Sequence, residues 1–258
     1  MSGLGDGRYG KLSILHLAAI SVALSILGSL GGVIVASTFL LLHEPIRTRL
    51  VPWLISYAVG TLIGVALIGL VPESLALLPA RVAMLTMAGG IVAFFLLEKW
   101  VLWRHCHDDE ACHVHSTAAK LVIVGDTFHT FVDGAVIAAA VLTAIPLGVT
   151  TALAVATHEI PQEVGDVAIL LRAGYSRMRA FTLNVLAGAG GIVGAIVMVI
   201  AGRALPSLLP YVLAFAAGNF LYVAMADLIP DLHRGGVGGA RQVLLMGAGI
   251  VTIAMLGS

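Results

Sequence analysis

The chain has 258 residues, of which 59% are hydrophobic and only 11% are charged, and its mean hydropathy is +1.04. A soluble domain keeps its surface wet with roughly a quarter charged residues, so this composition excludes an ordinary soluble fold. The formal charge is zero, with no basic arm or acidic tail, which removes nucleic acid as a partner.

Taken in chain order, the apolar pattern predicts eight segments at about 12–42, 52–78, 82–103, 118–143, 147–173, 178–201, 208–230 and 240–257. Most reach the ~20 residues that cross about 30 Å of hydrocarbon. Backbone cannot stay unpaired in lipid, so spans of this length are helices. Thirty glycines suit helices that approach one another closely through small residues. The expected fold is therefore an all-α integral membrane protein, a single transmembrane domain over 1–258. The first apolar run exceeds the roughly 7–15 residues of a signal-peptide core and is expected to remain as a span.

The breaks between segments carry charge or proline, and their Lys and Arg residues give an orientation. With the N-terminus outside, the inner side holds Arg47, Arg49, Lys99, Arg104, Lys120, Arg172, Arg177, Arg179, Arg234 and Arg241. The outer side holds Arg8, Lys11, Arg81 and Arg203. Basic residues favour the cytoplasmic face, so both termini are expected outside, in a plasma membrane (the inner membrane of a bacterium).

Segments 2 and 7 share a pattern. Ala58, Gly60, Val65, Ala66, Leu70 and Pro72 match Ala216, Gly218, Val223, Ala224, Leu228 and Pro230 at a constant offset, and Glu73 matches Asp231. The two segments cross in opposite directions under this topology. The pattern predicts an inverted repeat of helices 1–3 and 6–8 around helices 4–5, an arrangement of secondary transporters with the binding site near the midplane.

Between segments 3 and 4 lies a polar loop at about 104–117. It holds His105, Cys106, His107, Cys112, His113 and His115 together with Asp108, Asp109 and Glu110. Tracts of this kind bind soft and borderline metals. Under the topology above the loop lies inside, where it reads either as a metal-receiving site or as a solvated hairpin without fixed ligand geometry.

Segments 4 and 5 carry the informative residues. Asp126, His129, Thr130 and Asp133 fall within roughly one 100° arc of a helix. In segment 5, His158 and Gln162 stack one turn apart, Glu159 and Glu163 do the same, and Asp166 joins that face. Pro161 removes a backbone donor among them and is expected to kink the helix. An ionisable residue at mid-bilayer costs at least about 2.5–3.5 kcal/mol on insertion scales. A divalent ion removes that cost, and imidazole with carboxylate suits Zn²⁺ or the related ions Fe²⁺, Mn²⁺ and Cd²⁺. Asp227 in segment 7 is a further candidate for the pathway.

The pair His129-Thr130-Phe131-Val132-Asp133-Gly134 and His158-Glu159-Ile160-Pro161-Gln162-Glu163-Val164-Gly165-Asp166 resembles the signature helices of the ZIP family of metal transporters. It is most similar to the branch with a His-Glu-x-Pro-x-Glu motif in helix 5. Segment 2 (Leu70-Val71-Pro72-Glu73), segment 7 (Ala217 to Tyr222, then Pro230-Asp231) and the eight-helix count extend the resemblance over nearly the whole chain. It implies that helices 4 and 5 line the pathway. His129, Asp133, His158 and Gln162 take the positions of a first metal site. Thr130 and Glu159 take positions of a second that shares Asp133 and Gln162. It also implies transport toward the cytosol, with the metal as substrate and no catalytic cofactor. The chain departs from the pattern at Thr130 (usually Asn), at Gln162 (often His or Glu), and at Val65 and Gly69, where the branch commonly has an Asp and a His.

The expected function is transport of a divalent transition metal, zinc foremost, and not enzymatic turnover. The partners are that ion and the bilayer, with a second copy of the chain as a candidate for a homodimer. The rival readings are an intramembrane zinc hydrolase and a membrane metal sensor using the 105–115 loop. The His-Glu-x-x-His spacing of helix-borne zinc hydrolases is absent, because Gln162 stands where the second His would be.

Overall fold

A computed structural model describes residues 14–39, 43–103, 114–234 and 239–257. Its described residues form eight helical rods and no strand. We label them α1 (14–39), α2 (44–75), α3 (Ala80–Trp103), α4 (Val114–Thr143), α5 (Ile145–Arg172), α6 (Arg177–Ala204), α7 (206–234) and α8 (Gly239–Leu256). The expected segments map onto these rods one for one. The His/Cys loop calls at 105–113 lie outside the described residues, and although His115 falls in the first turn of α4, its side chain is not described.

Seven of the rods are long and apolar enough to cross a membrane by composition alone. The eighth, α5, is 28 residues long and falls short because His158, Glu159, Gln162, Glu163 and Asp166 interrupt its apolar run. The rod that is least apolar is thus the one that bears most of the candidate ligands. Around the bundle, Leu15, Leu27, Leu85, Leu96, Leu186, Ile200, Val243, Leu244 and Met255 are all more than half exposed. A continuous outer coat of this kind is solvated by lipid tails and not by water. The protein is an integral membrane protein.

Local structure makes the internal repeat more definite. Two rods contain a π-helical turn at matching places, Val65–Leu70 in α2 and Val223–Leu228 in α7, both within the repeated stretch and at the same offset of 158 residues (Ala58 to Ala216). A π turn widens the helix and displaces its hydrogen-bond ladder. Each is followed by the proline of the repeat, Pro72 or Pro230, near the start of the next helical turn.

The contacts repeat as well. Gly60 of α2 lies against the Met246 carbonyl of α8, and Gly218 of α7 lies against the Met87 carbonyl of α3. Reciprocally, Gly249 meets the Tyr57 carbonyl and Gly90 meets the Phe215 carbonyl. Aligning α3 with α8 on these contacts brings Leu85, Met87, Gly90, Ile91 and Val92 onto Leu244, Met246, Gly249, Ile250 and Val251. The repeat therefore extends one helix further in each half than the α2–α7 pattern alone shows. A third close approach joins α4 to α6, where Gly134 meets the Gly191 carbonyl and Gly194 meets the Phe131 carbonyl.

The core sits on α4 and α5. Val136, Ile137, Ala138, Ala139, Ala140 and Val141 are each at most 2% exposed and pack with Leu147, Ala154 and Val155 and with Leu62, Val65, Leu213 and Phe220 of the flanking repeats. In this half of the two helices the hydroxyls of Thr143, Thr150 and Thr151 all bond carbonyls of their own helices. The polar residues lie in the other half of each helix. Because α4 and α5 are antiparallel neighbours, those halves meet at the same depth. Pro161 sits inside α5 without breaking it.

A Cβ at Gly218 would overlap the Met87 carbonyl, whereas one at Gly89 would meet nothing within 4 Å. Overpacking costs about 1–3 kcal/mol, while Gly to Ala in an unobstructed helix gains up to about 1 kcal/mol. Gly218→Ala is therefore expected to lower the melting temperature of the purified protein in detergent, and Gly89→Ala to leave it unchanged or raise it.

Candidate metal centre

The centre is built at the crossing of α4 and α5. His129 and Asp133 are one turn apart on α4, and His158 and Glu159 are adjacent on α5. All four are buried, with Asp133 and Glu159 fully so. One ligand atom from each lies within 4.8 Å of the others. His158 Nε2 stands 3.2 Å from Asp133 Oδ2 and 3.9 Å from Glu159 Oε1. His129 Nε2 stands 3.6 and 3.7 Å from the same two oxygens. The two Nε2 atoms are 3.2 Å apart.

The tautomer of one imidazole follows from its second nitrogen. His158 Nδ1 is 3.0 Å from the Ala154 carbonyl oxygen, an acceptor only, so Nδ1 carries the proton and Nε2 presents its lone pair to the centre. The rings are held edge-on to one another at 87°. Phe94 of α3 meets the edge of His129 and Phe220 of α7 lies against His158. Each half of the repeat thus contributes one aromatic ring to the wall of the site. Thr61 of α2 bonds Thr157, the residue before His158, at 2.8 Å.

None of the carboxylate oxygens of Asp133 and Glu159 accepts a hydrogen bond, and the same is true of Asp126 and Glu163. Buried polar groups are almost always satisfied, so four carboxylates without a donor mark a place for a cation. A second group follows from the first. Asp126, Glu159 and Glu163, all buried, also offer oxygens within 4.8 Å of one another. Glu159 belongs to both groups.

The remaining candidates are distributed as follows. The Thr130 hydroxyl donates to the Ala187 carbonyl of α6 at 2.8 Å and to its own helix at Thr127, so it is directed at α6 and joins helices there. Gln162 is half-buried one turn beyond His158, and Asp166 is half-buried beyond Glu163. Asp227 is exposed on the π turn of α7, within electrostatic reach of Glu98, Asp231 and His158. The Tyr222 hydroxyl donates to the Glu98 carboxylate beside it. Phe94, Phe220, Thr61 and the buried Asn184 of α6 escape a reading of the sequence. Each is a single residue on an apolar helix, with no spacing to mark it.

Known proteins resemble this chain over the same helices. A family profile described as ZIP Zinc transporter matches residues 102–257. The chain belongs to the ZIP family. The matched part holds all of α4 and α5 and hence every group of the centre. Among curated relatives, zinc transporter ZIP13 of Pongo abelii is 32% identical over 219 residues, covering 78% of this chain and 65% of the relative. Zinc transporter ZIP10 of Homo sapiens is 34% identical over 144 residues, 52% of this chain and 17% of the relative. Zinc transporter foi of Drosophila melanogaster is 37% identical over 146 residues, 55% of this chain and 20% of the relative. The chain thus spans less than two thirds of the length of each of these relatives.

The geometry separates the parts of Thr130 and His158. Interhelical hydrogen bonds in membranes average about 0.6 kcal/mol. Thr130→Val is expected to cost about that much stability in a detergent melt and to leave zinc affinity in place. His158→Ala removes a converging nitrogen and is expected to weaken zinc binding at least about tenfold, as read by calorimetric titration.

Proposed function

We propose that this chain carries divalent transition-metal ions, zinc foremost, across the bilayer, and that His129, Asp133, His158 and Glu159 hold the ion midway. The observation that carries the reading is the size of the cage. Zn²⁺ binds nitrogen and oxygen at about 2.0–2.2 Å, which places tetrahedral ligand atoms about 3.3–3.6 Å apart. Five of the six spacings among these four groups run from 3.2 to 3.9 Å, close to the edges of such a tetrahedron, and the sixth, between Asp133 and Glu159, lies within 4.8 Å. Two imidazoles and two carboxylates also balance the ion's charge, leaving the filled centre neutral.

Membership in a transporter family, and relatives named as zinc transporters, support zinc as the substrate and flux as the activity, ahead of a hydrolase or a sensor. Fe²⁺, Mn²⁺ and Cd²⁺ share enough ligand chemistry to compete. The direction we propose is toward the cytosol with both termini outside, in the plasma membrane. Ten basic residues on the proposed inner side against four on the outer support that orientation. It also puts the ligand-rich halves of α4 and α5 toward the cytosol, together with the His/Cys loop that would receive the ion.

Purified protein in liposomes containing a zinc-sensitive dye is expected to admit Zn²⁺ down its gradient. His129→Ala and His158→Ala are each expected to cut the initial rate at least about tenfold, with the folded protein confirmed by circular dichroism. Wild-type rates in both variants would overturn the proposed site. Adding Fe²⁺, Mn²⁺ or Cd²⁺ outside should slow zinc entry in the order of their affinities, and indifference to all three would mark a strictly zinc-selective pathway.

A further inference from the structure

The second carboxylate group has a neighbour that no motif includes. Asn184 of α6 is completely buried, and neither atom of its carboxamide has a hydrogen-bond partner. Its position follows from the α4–α6 contact. Gly190 of α6 lies against Thr127 and Thr130 of α4, and Thr130 bonds Ala187. Asn184 is one turn before Ala187, and Asp126 is one turn before Thr130. The two helices run parallel, so Asn184 and Asp126 are brought level. The Asn184 carboxamide stands beside the Glu163 carboxylate, within reach of it, but at no distance and angle that closes a regular hydrogen bond. A buried carboxamide that serves helix packing would bond a backbone group or another side chain. This one stands beside Glu163, a member of the group of three carboxylates.

We infer that Asn184 completes a second, oxygen-only cation site with Asp126, Glu159 and Glu163, and sets that site's preference toward harder divalent ions such as Mn²⁺. The inference rests on the reading of the centre as a metal pathway. Three carboxylates and an amide carbonyl contain no nitrogen or sulfur, and hard cations favour such sets, whereas Zn²⁺ gains from imidazole. The formal charge decides why an amide stands here. Three carboxylates around a divalent ion leave one negative charge, and a fourth would leave two and hold the ion more tightly. A neutral oxygen keeps the ion coordinated and exchangeable. Glu159 is common to both groups, so an ion leaving the two imidazoles stays bound to one carboxylate as it moves to the oxygen site.

The test uses the full chain in detergent and Mn²⁺ itself, followed by electron paramagnetic resonance and equilibrium dialysis. His129→Ala/His158→Ala removes the nitrogen ligands and is expected to retain a single bound Mn²⁺. On that background Asn184→Ala and Asn184→Ser, whose hydroxyl is too short to reach, are each expected to weaken Mn²⁺ binding about tenfold. Asn184→Asp, which keeps an oxygen there and adds charge, is expected to bind at least as tightly as the background. Circular dichroism and size-exclusion chromatography verify that each variant is folded. A folded background that binds no Mn²⁺ would overturn the inference, as would affinity indifferent to both Asn184→Ala and Asn184→Ser. Neither readout involves flux. Intact Mn²⁺ binding without transport would sink the transport reading alone, and transport with no dependence of Mn²⁺ affinity on Asn184 would sink only this one.

Discussion

Four buried carboxylates without a hydrogen-bond donor set the terms for the rest of this structure. Asp126, Asp133, Glu159 and Glu163 are each at most 4% exposed, and among the described residues no Lys or Arg forms an ion pair with them. Isolated carboxylates in a medium of low dielectric are far too costly to keep ionised. The helices that carry them would separate or admit water unless something held them in place. The close contacts between α4 and α6 at Gly134 and Gly194 supply that hold on one side. On the other, the two halves of the repeat clamp α4 and α5 through Thr61, Phe94 and Phe220. Packing this tight keeps an electrostatically unfavourable cage assembled, and a divalent cation relieves the cost.

The same constraint accounts for the uneven distribution of polarity along the two central helices. From Val136 to Val141 on α4 and from Leu147 to Val155 on α5 the side chains are apolar or are hydroxyls already bonded within their own helix. That half offers an ion no imidazole and no carboxylate. The other half presents two nitrogens and two oxygens and then an oxygen-only group, with Asp166 beyond it. The donor atoms thus become harder along the way, from imidazole nitrogen with carboxylate to carboxylate alone.

What the sequence disclosed and what it concealed divide along physical lines. Spans were legible because lipid demands long apolar runs, and α5 was legible for the opposite reason, as a span with carboxylates in it. Spacing alone placed His129 and Asp133 together, and it paired Glu159 with Glu163. It could not choose between Glu159 and Gln162 as the group facing His129, since that depends on how α5 is rotated against α4. Thr130 illustrates the limit of a helical wheel. It falls on the edge of the polar arc, and the carbonyl of Ala187 on a third helix drew its hydroxyl away. The π turns left no trace in residue type. The α3–α8 half of the repeat was present in the sequence, but Leu, Met, Gly, Ile and Val recur so often in apolar helices that only the paired contacts of Gly90 and Gly249 set its register.

The repeat also explains why the centre lies on α5 near residue 158. Thr61 of α2 touches Thr157, immediately before His158. Its repeat mate at the offset of 158 residues is Asn219 of α7, which immediately precedes Phe220, the ring against His158. The two repeats therefore converge on one histidine with equivalent positions of their backbones, as an inverted pair does about an axis in the membrane plane. Their side chains differ. Thr61 is satisfied by its threonine partner, whereas Asn219 is fully buried with both carboxamide atoms unbonded. The backbone is symmetric here and the side-chain chemistry is not. Equivalent backbone positions thus carry a closed threonine pair in one half of the repeat and an unbonded, buried amide in the other.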